Sequence, residues 1–383
     1  MARTLAGTIG QTANDFHLLR TAAALAVIVS HAFPLGAGNA DAEPFYRSGW
    51  TPGGCAVIVF FAMSGFLIAG SFERRPDFVH FAASRARRIL PAHLLALLIV
   101  TVGFGTTVTT LAPAEYWSDP ATWDFLARNA VLDTSAKTLP GVFVANPHVA
   151  TVNGSLWSLP QEVLCYTFLY AAGRAGWLRR DRCAWFVLAA MAALVLLRVT
   201  GTGGRLPHVA PSFLAGIAFY TYRERVPARL TFFAALLGVA WLARDLPLHG
   251  EITRVVIAYG ALTVATGSTR PGRWIAGTGD YSYGLYLYGW PVTQTIVATL
   301  PGIGVGPLIV LAVPITAVFA MASWHGIERP VLRGNGTRPN DIAGATASCA
   351  QPVVADVSSR GTSRWTSSSA TRYALPAQRN TGT

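Results

Sequence analysis

Seven long apolar blocks recur along the chain, at 22–29, 56–69, 94–102, 163–172, 184–197, 230–243 and 307–322. Once small flanking residues are counted, several reach the roughly 17–25 residues that a membrane-spanning helix needs. A buried soluble core can produce one such block, not this many. Only 13% of the residues are charged, against roughly a quarter in soluble domains, too few to cover a soluble surface. The expected fold class is therefore all-α, a polytopic membrane bundle of about ten transmembrane helices. Their windows are near 18–36, 54–72, 89–111, 158–176, 183–199, 208–222, 230–244, 252–268, 281–299 and 307–326.

The net charge is +12, and Lys137 is the single lysine. Nucleic-acid binders carry such an excess on a soluble face, whereas these arginines sit between apolar blocks. With the N-terminus inside, the inward-facing loops at 74–88, 174–182, 223–229 and 270–273 hold fourteen arginines, and the outward-facing loops hold seven basic residues. That is the asymmetry of the positive-inside rule. It predicts a multi-pass inner-membrane protein with both termini cytoplasmic.

Residues 1–333 read as one transmembrane domain without an internal repeat. From 334 to 383 the composition shifts to Ser, Thr, Gly, Arg and Pro without periodicity, which predicts a disordered cytoplasmic tail. Segment 112–157, rich in Trp, Asp, Asn and Pro, is expected to fold over the outer mouth of the bundle. Cys55, Cys165, Cys183 and Cys349 show neither metal nor disulfide spacing. The first apolar block is interrupted by Arg20 and His31, which suits a retained span rather than a cleaved leader. Without an appended soluble domain, the chemistry belongs inside the bundle.

Ionisable residues within spans are costly and usually functional. Arg20 and His31 are eleven residues apart, about three turns plus 20°, so they share a helix stripe about 16 Å long. Taken alone, Arg20 also fits a snorkelling anchor and His31 a helix-packing residue. A second cluster, Arg85-Ala86-Arg87-Arg88-Ile89-Leu90-Pro91, puts Arg85 and Arg88 on one helix face. Two guanidinium forks side by side match phosphate oxygens, although positive-inside topology also accounts for arginines at this place. The third stretch runs from Asn153 to Glu162. Pro160 fits a first helical turn, and Glu162 in that turn suits the helix dipole, either as a structural helix-start acid or to orient His31 or a sugar hydroxyl.

Together these motifs resemble the acyltransferase-3 family of membrane O-acyltransferases, in the branch of Nod-factor and exopolysaccharide O-acetyltransferases. The resemblance rests on Arg20 with His31, 60–68 (FFAMSGFLI), Arg85 and Arg88 before Ile89 and Pro91, Leu156-Trp157-Ser158-Leu159 with Glu162, and 279–288 (GDYSYGLYLY). It implies about ten helices, an acyl-CoA donor, most simply acetyl-CoA, with no permanently bound cofactor, and a carbohydrate or glycosylated acceptor. Many members have a histidine before the proline that closes the last motif; this chain has Gly289-Trp290-Pro291. On this reading Arg20, Arg85 and Arg88 bind the donor's phosphates at the inner face. The pantetheine arm rises between helices to His31, which serves as general base or transient acyl carrier, and Glu162 assists. An unperturbed histidine pKa of about 6.5 suits either role. Ser64 is a candidate oxyanion donor or a packing residue. The rival reading is a transporter or flippase, from which the aligned arginine pair and histidine, and the absence of evident two-fold symmetry, separate this chain.

Overall fold

The computed structural model describes residues 3–8, 14–148 and 151–333. The tail expected at 334–383, and Cys349 within it, lie outside the described residues. Those described fall within one compact unit. No strand forms among them, and an isolated antiparallel bridge pairs Thr4 with Pro227.

Every window expected to be apolar and helical carries a helix. In chain order these are α1 (Phe16–Ala37), α2 (Pro52–Arg74), α3 (Phe78–Leu98), α4 (Ser158–Arg174), α5 (Cys183–Val199), α6 (Leu206–Thr221), α7 (Leu230–Leu242), α8 (His249–Ala265), α9 (Arg270–Thr278), α10 (Ser282–Thr299) and α11 (Val305–Ser323). Helix α9 lies outside the ten windows, as do the helices Pro113–Ser118 and Pro120–Ala130 between α3 and α4. Four segments are both long and apolar enough to cross a membrane: α1, α2, α3 with its continuation to Val108, and α11 with its continuation to Arg333. Helices α5 and α7 are apolar but shorter. Helices α4 and α8, of 17 residues each, rise about 26 Å, close to the roughly 30 Å hydrocarbon core.

Helices approach closely where glycine leaves room. A Cβ at Gly65 of α2 would overlap the Phe213 carbonyl of α6, and one at Gly216 of α6 would overlap the Ala62 carbonyl of α2. These reciprocal gaps let the two backbones touch. Gly284 does the same for α10 against Ala320 of α11.

Prolines inside α1, α3, α6, α10 and α11 remove an N–H and leave the carbonyl four residues earlier without its helical donor. At Pro291 that carbonyl belongs to Leu287, and the Asn153 side-chain amide donates to it at 2.9 Å. The same asparagine accepts from the Ser155 N–H at 3.1 Å. Tyr286 donates its hydroxyl to the Ser155 carbonyl at 2.9 Å and shares a 2.6 Å hydrogen bond with Ser158. Residues 153–158 are thus clasped to α10, which sets where α4 begins and where Glu162 stands.

The described residues between α3 and α4 pack on the bundle. Tyr116, Phe125, Leu139, Val142, Phe143 and Val152 join one apolar core with Leu287, Val292, Ile296 and Leu308. Asn146 donates to the backbone and side-chain carbonyls of Gln294 on α10, at 2.9 and 2.7 Å. Beyond Leu98 the helix widens into π geometry over Ile99–Gly105. The Thr101 carbonyl there accepts the hydroxyl of buried Tyr116 at 2.8 Å, so the π turn serves as a docking point for the segment.

Candidate active site

Helix α1 carries chemistry at both ends. At its first turns, Arg20 points to Asp280, which lies between α9 and α10, with Nη1 3.4 Å from the carboxylate. Arg88 of α3 reaches the same Asp280 oxygen at 2.5 Å, and His17 Nδ1 lies 3.9 Å from it. Ser282 donates to the other Asp280 oxygen at 2.5 Å. Asp280 is 2% exposed, so this is an ion cluster held out of water. Burial opposes its charge, but Arg88, His17 and Arg20 outweigh burial and hold the carboxyl well below the usual carboxylate range. Gly279 makes the approach possible. Its φ of 142° is a conformation suited to glycine, and a Cβ there would collide with the Trp324 indole.

The inner cluster has further members. Asp15, 1% exposed, accepts from the backbone N–H and hydroxyl of Thr269, each at 2.9 Å, and so pins the start of α9 to the start of α1. Glu328 is 3% exposed and accepts from Ser323 at 3.0 Å. The charges acting on it are those of Arg88 and Asp280.

The expected side-by-side clamp of Arg85 and Arg88 takes a different form. Both stand on α3, but Arg85 turns back to the Phe81 carbonyl at 3.1 Å and to Ser84 at 2.5 Å, and its guanidinium lies 4.0 Å over the Phe81 ring. Arg88 instead pairs with Asp280 beside Arg20 and faces the Tyr283 ring at 5.8 Å. A carboxylate 192 residues away decides the matter: its attraction in a dry site outweighs the i, i+3 proximity of two like charges. Tyr283 also donates to the Ile89 carbonyl at 3.1 Å, which fixes α10 against α3 at this level. The Arg88 Nη1 atom has no hydrogen-bond partner, which leaves one donor of the fork available.

At the other end of α1, His31 meets Trp290 of α10 edge to face, with ring centroids 4.7 Å apart, and His148 meets the same indole at 5.4 Å. Trp290, directly before Pro291, is therefore a wall of the His31 site. Its indole N–H donates to the Thr151 carbonyl at 2.9 Å, which locks the ring. The buried Nδ1 of His31 has no hydrogen-bond partner. One residue earlier, Ser30 hydrogen-bonds the buried carboxyl of Glu43. Burial pushes that carboxyl up, against hydrogen bonds from Ser30, Thr51 and the Gly53 backbone. Pro34, three residues after His31, removes the donor that the Ser30 carbonyl would otherwise have.

Glu162 falls in the second turn of α4, which starts at Ser158, rather than in the first turn as expected, and its carboxylate accepts from Ser64 at 3.2 Å and from Tyr166. Among the described residues, none of its hydrogen bonds reaches His31. Ser64 is thereby a donor to Glu162 rather than an isolated packing residue. The structure brings Arg20, Arg88 and Asp280 together at one level, with His31 toward the other end of α1. Helices α1 and α10 both run from the Asp280 level to the Trp290–His31 level. Eleven residues separate Arg20 from His31 and ten separate Asp280 from Trp290, so each helix sets the two levels about 15 Å apart.

A family profile described as an acyltransferase domain matches residues 14–325. The chain belongs to the acyltransferase-3 family. That span runs from the Asp15 anchor through both charged levels to His325, so the acyltransferase domain is the bundle itself, and membership sets the chain among acyltransferases rather than transporters. It is similar to a protein named O-acetyl transferase from Shigella phage Sf6, with 28% identity covering 83% of this chain and 96% of the relative. It is also similar to Nodulation protein 10 of Rhizobium leguminosarum bv. viciae, at 26% identity over 84% of this chain and 93% of the relative. A third relative is the Exopolysaccharide production protein ExoZ of Rhizobium meliloti (strain 1021), at 28% identity over 76% of this chain and 92% of the relative. No solved structure matches the chain.

Sequence reasoning missed His17, Trp290 and Glu328, and read Asp280 only as part of a packing motif. A signal for Asp280 was present: an acid directly after glycine, at the start of an apolar helix, opposite a bundle rich in arginine.

Proposed function

We propose that this acyltransferase is a ten-span inner-membrane enzyme that moves an acyl group, most simply acetyl, from coenzyme A to a hydroxyl of a surface polysaccharide or other glycosylated acceptor. The observation that carries the reading is the pairing on α1 of an arginine level held by buried Asp280 with a half-buried histidine about 15 Å away. Arg20 and Arg88 offer guanidinium forks to phosphate oxygens; Asp280 holds both forks in place while the site is empty and neutralises one of their charges. Arg85 lies one helical turn from Arg88 and extends the basic lining toward the cytoplasm. The pantetheine arm passes along α1 and α10 to the His31 level. There His31 takes the acceptor hydroxyl's proton as the oxygen attacks the thioester carbonyl, and the coenzyme A thiolate leaves. Trp290 shields the site from water, and Glu162, held by Ser64 and Tyr166, assists from α4. The relatives' names, O-acetyl transferase and exopolysaccharide production protein, support acetyl transfer to a polysaccharide.

The direct test is binding of acetyl-CoA to purified protein in lipid nanodiscs. Arg88→Gln should weaken binding about 10- to 150-fold, the equivalent of one charge-assisted hydrogen bond. Arg74→Gln, which removes an exposed charge at the end of α2, should leave binding within about twofold. Equal losses in both variants would reduce the arginines to generic inner-surface charge. The orientation is checked by alkaline phosphatase fusions: fusion after Val144 should give an active periplasmic reporter and fusion after Arg180 an inactive one. The reverse pattern would invert the topology.

A further inference from the structure

The His31 end of the bundle carries a second charged constellation that the transfer chemistry does not use. Gly53 at the start of α2 packs on Ser30, beside His31; a Cβ there would lie 2.5 Å from the Ser30 hydroxyl. Three residues earlier, the Trp50 ring stands 6.0 Å from His249, and the Arg254 guanidinium lies 5.7 Å over that ring. Arg254 and Glu251 share α8, with Arg254 Nη1 3.6 Å from the Glu251 carboxylate. Arg198, at the end of α5, bonds the same carboxylate oxygen.

Gly250 lets both guanidiniums pack close against its backbone, where a side chain would meet them. A Cβ built there would lie 2.9 Å from Arg254 Nη1 and 3.3 Å from Arg198 Nη1. A purely structural ion triad satisfies its buried polar atoms, yet neither Arg254 Nη1 nor Glu251 Oε2 has a hydrogen-bond partner. Two arginines against one carboxylate leave a positive charge, and Arg205, 4.9 Å over the Trp157 ring, adds another on the side toward α4. Arg198 is 41% exposed on its side chain, whereas Glu251 and Arg254 are 14% and 12% exposed. The constellation is thus open at one edge and closed at its base.

We propose that Trp50, Arg198, Gly250, Glu251 and Arg254 form an acceptor subsite for an acidic carbohydrate, with a sugar carboxylate held between the two guanidiniums. Arg254 and Arg198 take the carboxylate oxygens as paired forks. Glu251 Oε2 accepts a sugar hydroxyl, and Trp50 presents an apolar ring face to the sugar's C–H face. A carbohydrate fits better than a lipid headgroup because the constellation combines an aromatic face and a hydroxyl acceptor with the anion forks, next to the helix turn that carries His31. The identity of this ligand as the second substrate rests on the acyl-transfer reading; the binding itself does not.

The test measures binding without donor, in phosphatidylcholine nanodiscs, of tetragalacturonate and of a hyaluronan tetrasaccharide, each compared with its methyl ester. At least one free acid should bind about tenfold or more tightly than its ester. Arg198→Gln, Arg254→Gln and Gly250→Leu should each remove about tenfold or more of that affinity, while acetyl-CoA binding, measured separately, stays unchanged and reports intact folding. Equal binding of acid and ester, no binding of either acid, or acid binding untouched by all three substitutions overturns the proposal. Displacement of the oligosaccharide in phosphatidylglycerol nanodiscs overturns it too, in favour of a headgroup site. A protein that binds the uronate through these residues but transfers no acetyl group would instead refute the acyl-transfer reading and leave the subsite standing.

Discussion

His31→Ala should abolish acyl transfer, by about 10²- to 10⁴-fold in kcat or more, while acetyl-CoA still binds with near-original affinity. The size follows from what a positioned general base contributes, with the upper part of the range reached if the histidine also carries the acyl group. The separation of effects follows from distance. The phosphate-binding level at Arg20 and Arg88 lies about 15 Å from His31 along α1, so losing the imidazole leaves the nucleotide's contacts intact. Single-turnover transfer with radiolabelled acetyl-CoA, beside equilibrium binding of the same donor, reads both quantities. A His31→Ala protein that transfers at the original rate would remove the catalytic assignment. One that no longer binds donor would mean that His31 holds the donor instead. Trp290→Phe is a graded companion: it keeps the aromatic wall but loses the indole N–H that bonds the Thr151 carbonyl, and should lower kcat less than the histidine change does.

Asp280→Ala should be the most damaging single change outside the His31 site, because it strands Arg20, Arg88 and the neighbouring His17 in a buried place. Removing one partner of a buried ion pair costs about 3–5 kcal/mol, and here one carboxylate serves two guanidiniums. The loss should appear as a lower thermal unfolding midpoint of the nanodisc protein and as lost transfer. Stability and function separate in the double variant Asp280→Ala with Arg88→Met. Removing the stranded guanidinium should recover part of the lost stability, yet transfer should remain absent because the donor has lost a phosphate contact. If Asp280→Ala unfolds at the original temperature, the cluster is not the buried ion network described. If the double variant regains transfer with stability, Arg88 has no role with the donor.

The expected all-helical bundle was legible in the sequence because helix burial within a membrane leaves long, locally contiguous apolar runs. The shared stripe of Arg20 and His31 was legible for a similar reason: helical periodicity sets which residues of one helix face the same way. These are consequences of short-range geometry, and each reads from a stretch of a dozen residues.

What the tertiary structure alone decided is partnership across the bundle. The i, i+3 spacing of Arg85 and Arg88 says that they share a face, but it cannot say that Asp280, 192 positions on, draws one of them away to Arg20. Likewise Glu162 finds Ser64 and Tyr166 instead of His31, Asn153 completes the carbonyl that Pro291 leaves open, and Trp290 closes the His31 site. Arg198, Glu251 and Arg254 read in the sequence as loop and helix-end charges, and only the packing of α5 against α8 and Trp50 gathers them. A buried charge settles wherever the whole set of helices places its counter-charge, since in a dry interior the energy of that pairing exceeds any local preference of the helix it stands on. Local periodicity therefore determined the helices and their faces, and the long-range pairing of buried polar groups determined the site.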